Sequence, residues 1–220
     1  MSGLANLQKR FFAWGMSRAN DADSDGVKLK DCDDHESLGE LKAALLNSVQ
    51  GRVVEIGPGA GASFAYLPKD IQWIGIEPNP YMHRYLQEEA RKQGIESVEV
   101  YEGMAEKLPL IDESVDTVVG IHVLCSVGDV QEALGEIRRV LKPGGVFVFL
   151  EHIADQRGSW NRRLQDAIAP VWKGLFDNCH PHRETDQVLQ AQGFERVDEE
   201  YFRLSFPNYS PHVAGVARKS

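Results

Sequence analysis

The sequence predicts an α/β fold built on a doubly wound, mostly parallel sheet. Short runs rich in Val and Ile alternate with helical segments at the spacing of βαβ units. Several of these runs are continuously apolar, which is typical of strands covered on both faces. The length of 220 residues, with 42% hydrophobic and 26% charged residues, suits one domain with a sizeable core.

Composition and charge also argue against several classes of protein. The formal net charge of -9 disfavours a nucleic-acid partner, which would need a basic face to neutralise phosphates. No apolar run approaches the ~20 residues that span a bilayer, and the first residues lack the apolar region of a signal peptide. Cys32, Cys125 and Cys179 are too few for a disulfide framework. We therefore expect a reduced, cytoplasmic protein.

Residues 1–36 differ in character from the rest of the chain. Apolar residues recur at helical spacing in a locally basic stretch, at Leu4, Leu7, Phe11 and Trp14. This pattern predicts an amphipathic helix that covers part of the domain, closes over a substrate as a lid, or contacts a membrane surface peripherally. Residues 21–36 are rich in Asp and predict a solvated acidic linker. The predicted domain proper is 37–220.

The elements of that domain follow from local signals. A capping box at 37–40 opens a helix through about residue 48. Asn79 and Pro80 open a second helix, which Gly94 ends. Further helices are predicted at 130–141, 160–176 and 183–192. Strands are predicted at 51–57, 71–76, 98–101, 115–121, 146–150, 197–205 and 212–217, with the last two forming an antiparallel hairpin.

A glycine-rich turn joins the first strand to a short helix. Gly57, Gly59 and Gly61 let the backbone turn sharply and approach a ligand closely. Glu77 ends the second strand, where a carboxylate can accept hydrogen bonds from both hydroxyls of a ribose. The combination predicts a cofactor that contains a nucleoside.

Glu55 separates two candidate cofactors. A dinucleotide site has its third glycine one residue later and places a pyrophosphate at the helix N-terminus, where this carboxylate would repel it. The same carboxylate suits the ammonium of S-adenosylmethionine, which carries a ribose and a sulfonium but no phosphate. We therefore predict S-adenosylmethionine. The alternative is that Glu55 only bonds loop amides and the glycines only turn the chain.

Four stretches of the chain form a series. They are E-I-G-P-G-A-G at 55–61, the acid Glu77, G-M-A-E-K-L-P at 103–109 and L-K-P-G-G at 141–145. Together they resemble the motifs of class I S-adenosylmethionine-dependent methyltransferases. The resemblance implies a Rossmann-like sheet of seven strands with the last strand antiparallel. It also implies that the loop at 57–61 lies along the methionine part of the cofactor and that Glu77 binds the ribose.

The same resemblance implies that residues 103–106 border the adenine. Many relatives have Asp where this chain has Met104, which can pack on a purine but cannot accept a bond from its amino group. The backbone of Ala105 or the carboxylate of Glu106 would then accept that bond. We also assign His122, which follows a strand end, to the cofactor site.

Shorter stretches outside the general motifs narrow the resemblance. They are G-A-S-F-A-Y-L-P at 61–68, V-L-C-S-V at 123–127, L-E-H at 150–152, S-W-N at 159–161 and F-D-N-C-H-P-H-R-E-T at 176–185. These resemble the thiol methyltransferases of the methyltransferase-like group, which are membrane-associated and methylate small alkyl thiols or hydrogen sulfide. The resemblance implies a small hydrophobic thiol as the acceptor and S-adenosyl-L-homocysteine as the second product. The N-terminal membrane segment of that group is not matched, and the predicted amphipathic helix takes its place.

Candidate catalytic groups follow strand ends and the long helix. We rank His152 first, as a base or thiolate-stabilising group, with Asp177 as its orienting partner. The substrate pocket is assigned to Cys125, Trp160, Trp172 and Phe176. For each residue the alternative is a plain structural role. No metal is predicted, because the Cys179-His180-x-His182 sequence lacks the ligand count of a zinc site.

Two rival functions share the general motifs. One is O- or C-methylation of a lipid, a quinone or another small apolar acceptor. The other is a module that binds S-adenosylmethionine without catalysis. Only the shorter stretches favour sulfur as the methyl acceptor.

Overall fold

The structure, a computed structural model, describes residues 3–20, 26–204 and 211–220, with the side chains of the first helix described from 6 to 18. The strands are β1 Arg52–Ile56, β2 Gln72–Ile76, β3 Val98–Tyr101, β4 Val115–Ile121, β5 Leu141–His152, β6 Arg196–Arg203 and β7 Pro211–Arg218. The helices are α1 Gly3–Asn20, α2 Leu38–Leu46, α3 His83–Gln93, α4 Val130–Val140, α5 Trp160–Leu175 and α6 Thr185–Ala191, with a short 3₁₀ helix at Ala62–Ala65.

Strand pairing confirms the predicted topology over these described ranges. The seven strands form one sheet in the order β3-β2-β1-β4-β5-β7-β6. All run parallel except β7, which is antiparallel to both β5 and β6. Because β1 pairs with β2 on one side and β4 on the other, the strand order reverses there. The crevice beyond the carboxyl ends of β1 and β4 is therefore the expected place for a ligand.

Local signals place most element boundaries, with two clear exceptions. Strand β5 begins at Leu141, five residues before the predicted start at 146, because Leu141 pairs with Val115 ahead of a shift in register. The capping box that begins at Ser37 is present at the start of α2. However, α3 begins at His83 and not at Asn79, because Asn79 Oδ1 accepts a bond from the Tyr81 amide at 3.1 Å and closes a separate turn. Gly94 ends α3 as predicted, with φ at 73°.

Both faces of the sheet bury apolar side chains. One face packs against α4, where Leu134 and Ile137 are fully buried. The other face packs against α3 and the 3₁₀ helix, where the rings of Phe64 and Trp73 lie 4.6 Å apart. This double coverage accounts for the continuously apolar strands in the sequence.

The described N-terminal residues pack on the domain. Helix α1 buries Ala13 in a cluster with Ala60 and Met82, beside the glycine-rich turn. Within residues 26–36, Lys30 bridges to Arg203 of β6, and Val27, Leu29 and Cys32 pack partly buried against a cluster that includes α2. The acidic residues of this range, Asp31, Asp33, Asp34 and Glu36, are exposed to solvent. Residues 21–25 of the predicted linker lie outside the described residues.

The apolar stripe of α1 points away from the domain. Leu7, Phe11 and Trp14 are 65%, 69% and 50% exposed, and the side chain of Leu4 lies outside the described residues. The helix therefore packs through a different face from the one that its spacing predicts. Within the described ranges, no helix has both the length and the hydropathy needed to cross a bilayer.

Candidate functional site

A cavity of about 810 Å³ opens at the carboxyl ends of β1, β2, β4 and β5. The glycine-rich turn and Glu77 line one part of it, and His152 with two cysteines lines another. Helix α1 contributes Lys9 and Phe12 to the wall, so it partly covers the opening. The volume is within the range of small-molecule sites.

The glycine-rich turn needs its glycines for two different reasons. Gly57, Gly59 and Gly61 have φ of 58°, 58° and 85°, a region that other residues avoid. A Cβ at Gly57 would lie 2.4 Å from Val123, and one at Gly61 would lie 2.7 Å from Phe64. A Cβ at Gly59 would meet nothing within 4 Å. The turn therefore packs through its outer glycines and leaves the backbone of Gly59 open to a ligand.

Glu77 holds this turn at the end of β2. Its two carboxylate oxygens accept bonds from the Gly59 amide at 3.0 Å and the Asn79 amide at 2.8 Å. The residue is only 5% exposed, and burial raises the pKa of its carboxyl to about 7. An ionised carboxylate has about four acceptor positions, so two remain for the hydroxyls of a ribose. The site therefore fits a nucleoside cofactor, as the sequence predicts.

Glu55 lines the same cavity, and one oxygen of its carboxylate already accepts hydrogen bonds from two side chains. Its Oε2 accepts bonds from Ser63 Oγ at 2.7 Å and from Trp73 Nε1 at 3.0 Å, and burial raises the pKa of its carboxyl to about 7. These partners tie the 3₁₀ helix to β2. The alternative drawn from the sequence is that Glu55 bonds only loop amides, whereas both partners observed here are side chains. Contact with a cofactor ammonium stays a prediction for Glu55.

The predicted adenine border also lines the cavity. Met104 is 52% exposed, whereas Ala105 is buried. Glu106 Oε1 accepts bonds from the Gly128 amide at 2.6 Å and the Asp129 amide at 3.3 Å. Its Oε2 is buried and has no hydrogen-bond partner among the described residues. That oxygen is an acceptor available to the adenine amino group, which supports the prediction for Glu106.

Two thiols and one imidazole meet in the wall of the cavity, and we call Cys125, His152 and Cys179 the Cys–His cluster. The two Sγ atoms and one ring nitrogen of His152 all lie within 4.8 Å of one another, and all three residues are buried. His152 Nε2 lies 3.2 Å from Cys179 Sγ. A hydrogen bond from the Cys125 thiol, together with His152, lowers the pKa of the Cys179 thiol. The same hydrogen bond and burial raise the pKa of the Cys125 thiol.

Groups that sequence reasoning missed fix the position of Cys125. Glu151 is fully buried, and its Oε1 accepts bonds from the Val123 and Leu124 amides at 2.8 and 2.9 Å. Arg183 Nη1 donates to the carbonyls of Leu124 and Val127 at 2.6 and 2.7 Å. The L-E-H stretch contains Glu151, but a single acid gives no sign of its partners.

Asp177 and His122 also line the cavity. The predicted partner of His152 is Asp177, but the group that lies 3.2 Å from His152 Nε2 is Cys179 Sγ. The charge of Asp177 instead helps to raise the pKa of Glu77. His122 lines the cavity with φ at 51°, and its Nε2 is buried without a hydrogen-bond partner in the described ranges. Burial lowers the pKa of His122 well below its ordinary value, so its ring is neutral at pH 7.

The three aromatic residues assigned to the substrate pocket lie in different environments. Phe176 lines the cavity, and Trp172 stacks on it with ring centroids 4.2 Å apart. Trp160 is 81% exposed and lies outside this wall, because it occupies the first, outward-facing position of α5. The assignment of Trp160 to the pocket is therefore wrong.

Known methyltransferases are similar to this chain in sequence. A methyltransferase-domain family profile matches residues 54–149. The human protein named thiol S-methyltransferase TMT1A is 34% identical over 84% of this chain and 81% of its own length. Human thiol S-methyltransferase TMT1B is 36% identical over 84% of this chain and 77% of its own length.

Solved structures show the same fold. A SAM-dependent methyltransferase from Thermotoga maritima superposes with a TM-score of 0.59 at 27% identity, over 82% of this chain and 86% of that one. The chain is a methyltransferase, and its methyl donor is S-adenosylmethionine. It belongs to the class I S-adenosylmethionine-dependent methyltransferases, in the family that includes the human thiol S-methyltransferases.

Proposed function

We propose that this enzyme transfers the methyl group to small hydrophobic thiols. The observation that carries the proposal is the Cys–His cluster, which lines the same cavity as the glycine-rich turn and Glu77. The names of the related human enzymes support a thiol acceptor. S-adenosylmethionine supplies an electrophilic methyl group on a sulfonium, and the chain supplies the site where an acceptor sulfur can meet it.

The main task of the site is to ionise the acceptor. A thiol with a pKa of about 8.5 is only a few per cent thiolate at pH 7, and the thiolate is the nucleophile. A buried imidazole beside a thiol can accept the acceptor's proton or stabilise the thiolate that results. We assign this role to His152, with Cys179 as its partner at 3.2 Å.

The rest of the cavity favours the same reaction. A thiolate that attacks a sulfonium removes two opposite charges, so the transition state needs less solvation than the separated ions. Phe176 and Val123 give this part of the wall apolar surface, and α1 shields the opening. Alignment of sulfur and methyl within such a site supplies much of the rate enhancement.

A panel of thiol, phenol and amine acceptors tests the proposal. Release of S-adenosylhomocysteine would be followed for the wild-type enzyme and for Glu77→Ala as a matched variant with weakened cofactor binding. We expect turnover with hydrophobic thiols and little with phenols or amines. Activity confined to phenols or amines would refute the thiol assignment and favour an O- or N-acceptor.

We also propose a cytoplasmic enzyme that contacts membranes peripherally through α1. Phe11 and Trp14 support this, because both are at least half exposed in a helix whose other face packs on the domain. Wild-type protein should sediment with vesicles that contain anionic lipid, and Phe11→Ser with Trp14→Ser should leave it in the supernatant. Trp160→Ser, at an 81% exposed site on α5, is the matched control. Wild-type protein that stays in the supernatant would contradict this contact.

A further inference from the structure

The geometry points to a zinc site in the Cys–His cluster: we propose that Cys125, His152 and Cys179 bind Zn²⁺ and leave its fourth position to the acceptor thiol. The inference rests on the proposed function and refines it: His152 acts as a zinc ligand, and the metal in place of the imidazole ionises the acceptor thiol. It goes beyond the sequence, which predicts no metal and places these three residues in separate segments.

The distances suit a tetrahedral site. Zn–S bonds of about 2.3 Å and Zn–N bonds of about 2.0–2.1 Å would place the three ligand atoms roughly 3.6–3.8 Å from one another. The observed atoms all lie within 4.8 Å, with His152 Nε2 and Cys179 Sγ at 3.2 Å. Shifts of about 1 Å or less in side chains would therefore complete the geometry.

The ligand set also suits zinc in charge and number. Two thiolates balance the charge of Zn²⁺, so the buried site would be neutral once the metal is bound. Structural zinc sites use four protein ligands, whereas catalytic sites use three and keep one position open. Within the described part of the chain, this group comprises three ligand residues, and all three line the cavity that the glycine-rich turn also lines.

The surrounding structure holds the ligands in place before any metal binds. The turn that carries Cys125 is fixed by Glu151 and Arg183, and the His180 amide donates to the Cys125 carbonyl at 2.9 Å. That bond ties the segment of Cys179 directly to the segment of Cys125. These contacts fix the two cysteine segments relative to each other.

The reaction at such a site balances without a redox partner. The acceptor R–SH takes the fourth position and releases its proton to solvent, because coordination to zinc deprotonates a thiol. The thiolate sulfur then forms a bond to the methyl carbon as the bond from that carbon to the sulfonium sulfur breaks. The products are R–S–CH₃ and S-adenosylhomocysteine. The neutral thioether is a weak ligand and leaves the metal.

Metal content tests the site without any measurement of activity. Full-length protein without a metal-binding tag would be purified in a phosphine reductant, and its zinc would be measured by mass spectrometry. We expect about one zinc per chain in the wild type and at least a tenfold loss in Cys125→Ser and Cys179→Ser. Cys32→Ser should leave the zinc content unchanged, and it separates this site from a second group of possible metal ligands, Cys32 with His35 and Glu200. Zinc lost in Cys32→Ser and kept in the other two variants would contradict the proposal. Equal zinc content in wild type, Cys125→Ser and Cys179→Ser would overturn the proposal.

Cobalt substitution tests the open position and does not depend on how the variants fold. Wild-type protein loaded with Co²⁺ should show thiolate charge-transfer absorption, and a small thiol should change that spectrum while the matching alcohol should not. A spectrum that responds to neither would contradict an open fourth position. If zinc-free enzyme methylates thiols at an unchanged rate, the zinc inference fails and the proposed function stands. If zinc binds and the panel shows no thiol turnover, the proposed function fails and the metal site stands.

Discussion

Replacement of Glu77 is the sharpest test of how the enzyme holds its cofactor. In the structure its carboxylate already accepts bonds from the Gly59 and Asn79 amides, and two acceptor positions remain for the ribose. Glu77→Ala would remove the predicted ribose bonds together with the support of the glycine-rich turn. Glu77→Gln keeps the size and one acceptor oxygen but loses the charge.

The bonds give the expected magnitude. A hydrogen bond to a charged group contributes about 1.5–3 kcal/mol, so loss of two costs about 3–6 kcal/mol before water compensates. We expect the lower end, about 3 kcal/mol, which is roughly a hundredfold weaker binding for Glu77→Ala. Glu77→Gln should weaken binding by about tenfold.

The pKa of Glu77 adds a second signature. Burial raises this pKa to about 7, so the carboxyl of the free protein is partly protonated below that pH. A ribose that donates two bonds prefers the ionised form. Affinity that depends on Glu77 should therefore rise as the pH rises through about 7, and this component should be absent in Glu77→Gln.

Calorimetry with S-adenosylhomocysteine measures both effects. Glu88→Ala is the matched control, because Glu88 is exposed on α3. Unchanged affinity in Glu77→Ala, or the same pH profile in Glu77→Gln as in the wild type, would refute the ribose assignment.

Two further predictions concern pH and the N-terminal helix. Burial raises the folded-state pKa of Glu151 from 4.5 to about 7, so the folded state binds more protons than the unfolded state between these values, and stability should fall as the pH rises from about 5 to 7. The shift corresponds to about 3 kcal/mol. In thermal melts Glu151→Gln should show a smaller fall than the wild type, and an equal fall would contradict the burial of Glu151 as its cause. Ala13→Glu places a charge where α1 packs on Ala60 beside the glycine-rich turn, and calorimetry should show at least tenfold weaker cofactor binding, whereas Leu7→Glu on the exposed face should bind normally. Equal affinity in both variants would show that α1 does not contribute to the site.

The sheet is predictable from the sequence because its signals are local. The central strands contain short apolar runs, and turn or capping residues mark most boundaries within a few positions. The start of α3 is not predictable in this way, because Asn79 uses its side chain in a turn before the helix. The packing of residues 26–36 is also hidden, because they contact Arg203 of β6 and a cluster with Leu150 and Phe202, all of which are distant in sequence.

The site is predictable only in part, for the same reason. The glycine-rich turn and Glu77 carry a recognisable spacing within one βαβ unit. The Cys–His cluster has no such spacing, because its members follow β4, end β5 and follow α5, and only the folded chain brings them together. Sequence position favours Asp177 as the partner of His152, yet Cys179 lies against the imidazole. The sequence indicates which polar residues are candidates for the site. The order of strands and helices in the fold decides which of these residues lie together.

A competition between benzyl mercaptan and benzyl alcohol tests the central claim most directly. The two acceptors have nearly the same shape and differ in the atom that would be methylated. With wild-type enzyme and equal acceptor concentrations, mass spectrometry should find benzyl methyl sulfide in amounts equal to the S-adenosylhomocysteine released, with at least a hundredfold less ether. Ether as the main product, or release of S-adenosylhomocysteine without the sulfide, would contradict thiol methylation.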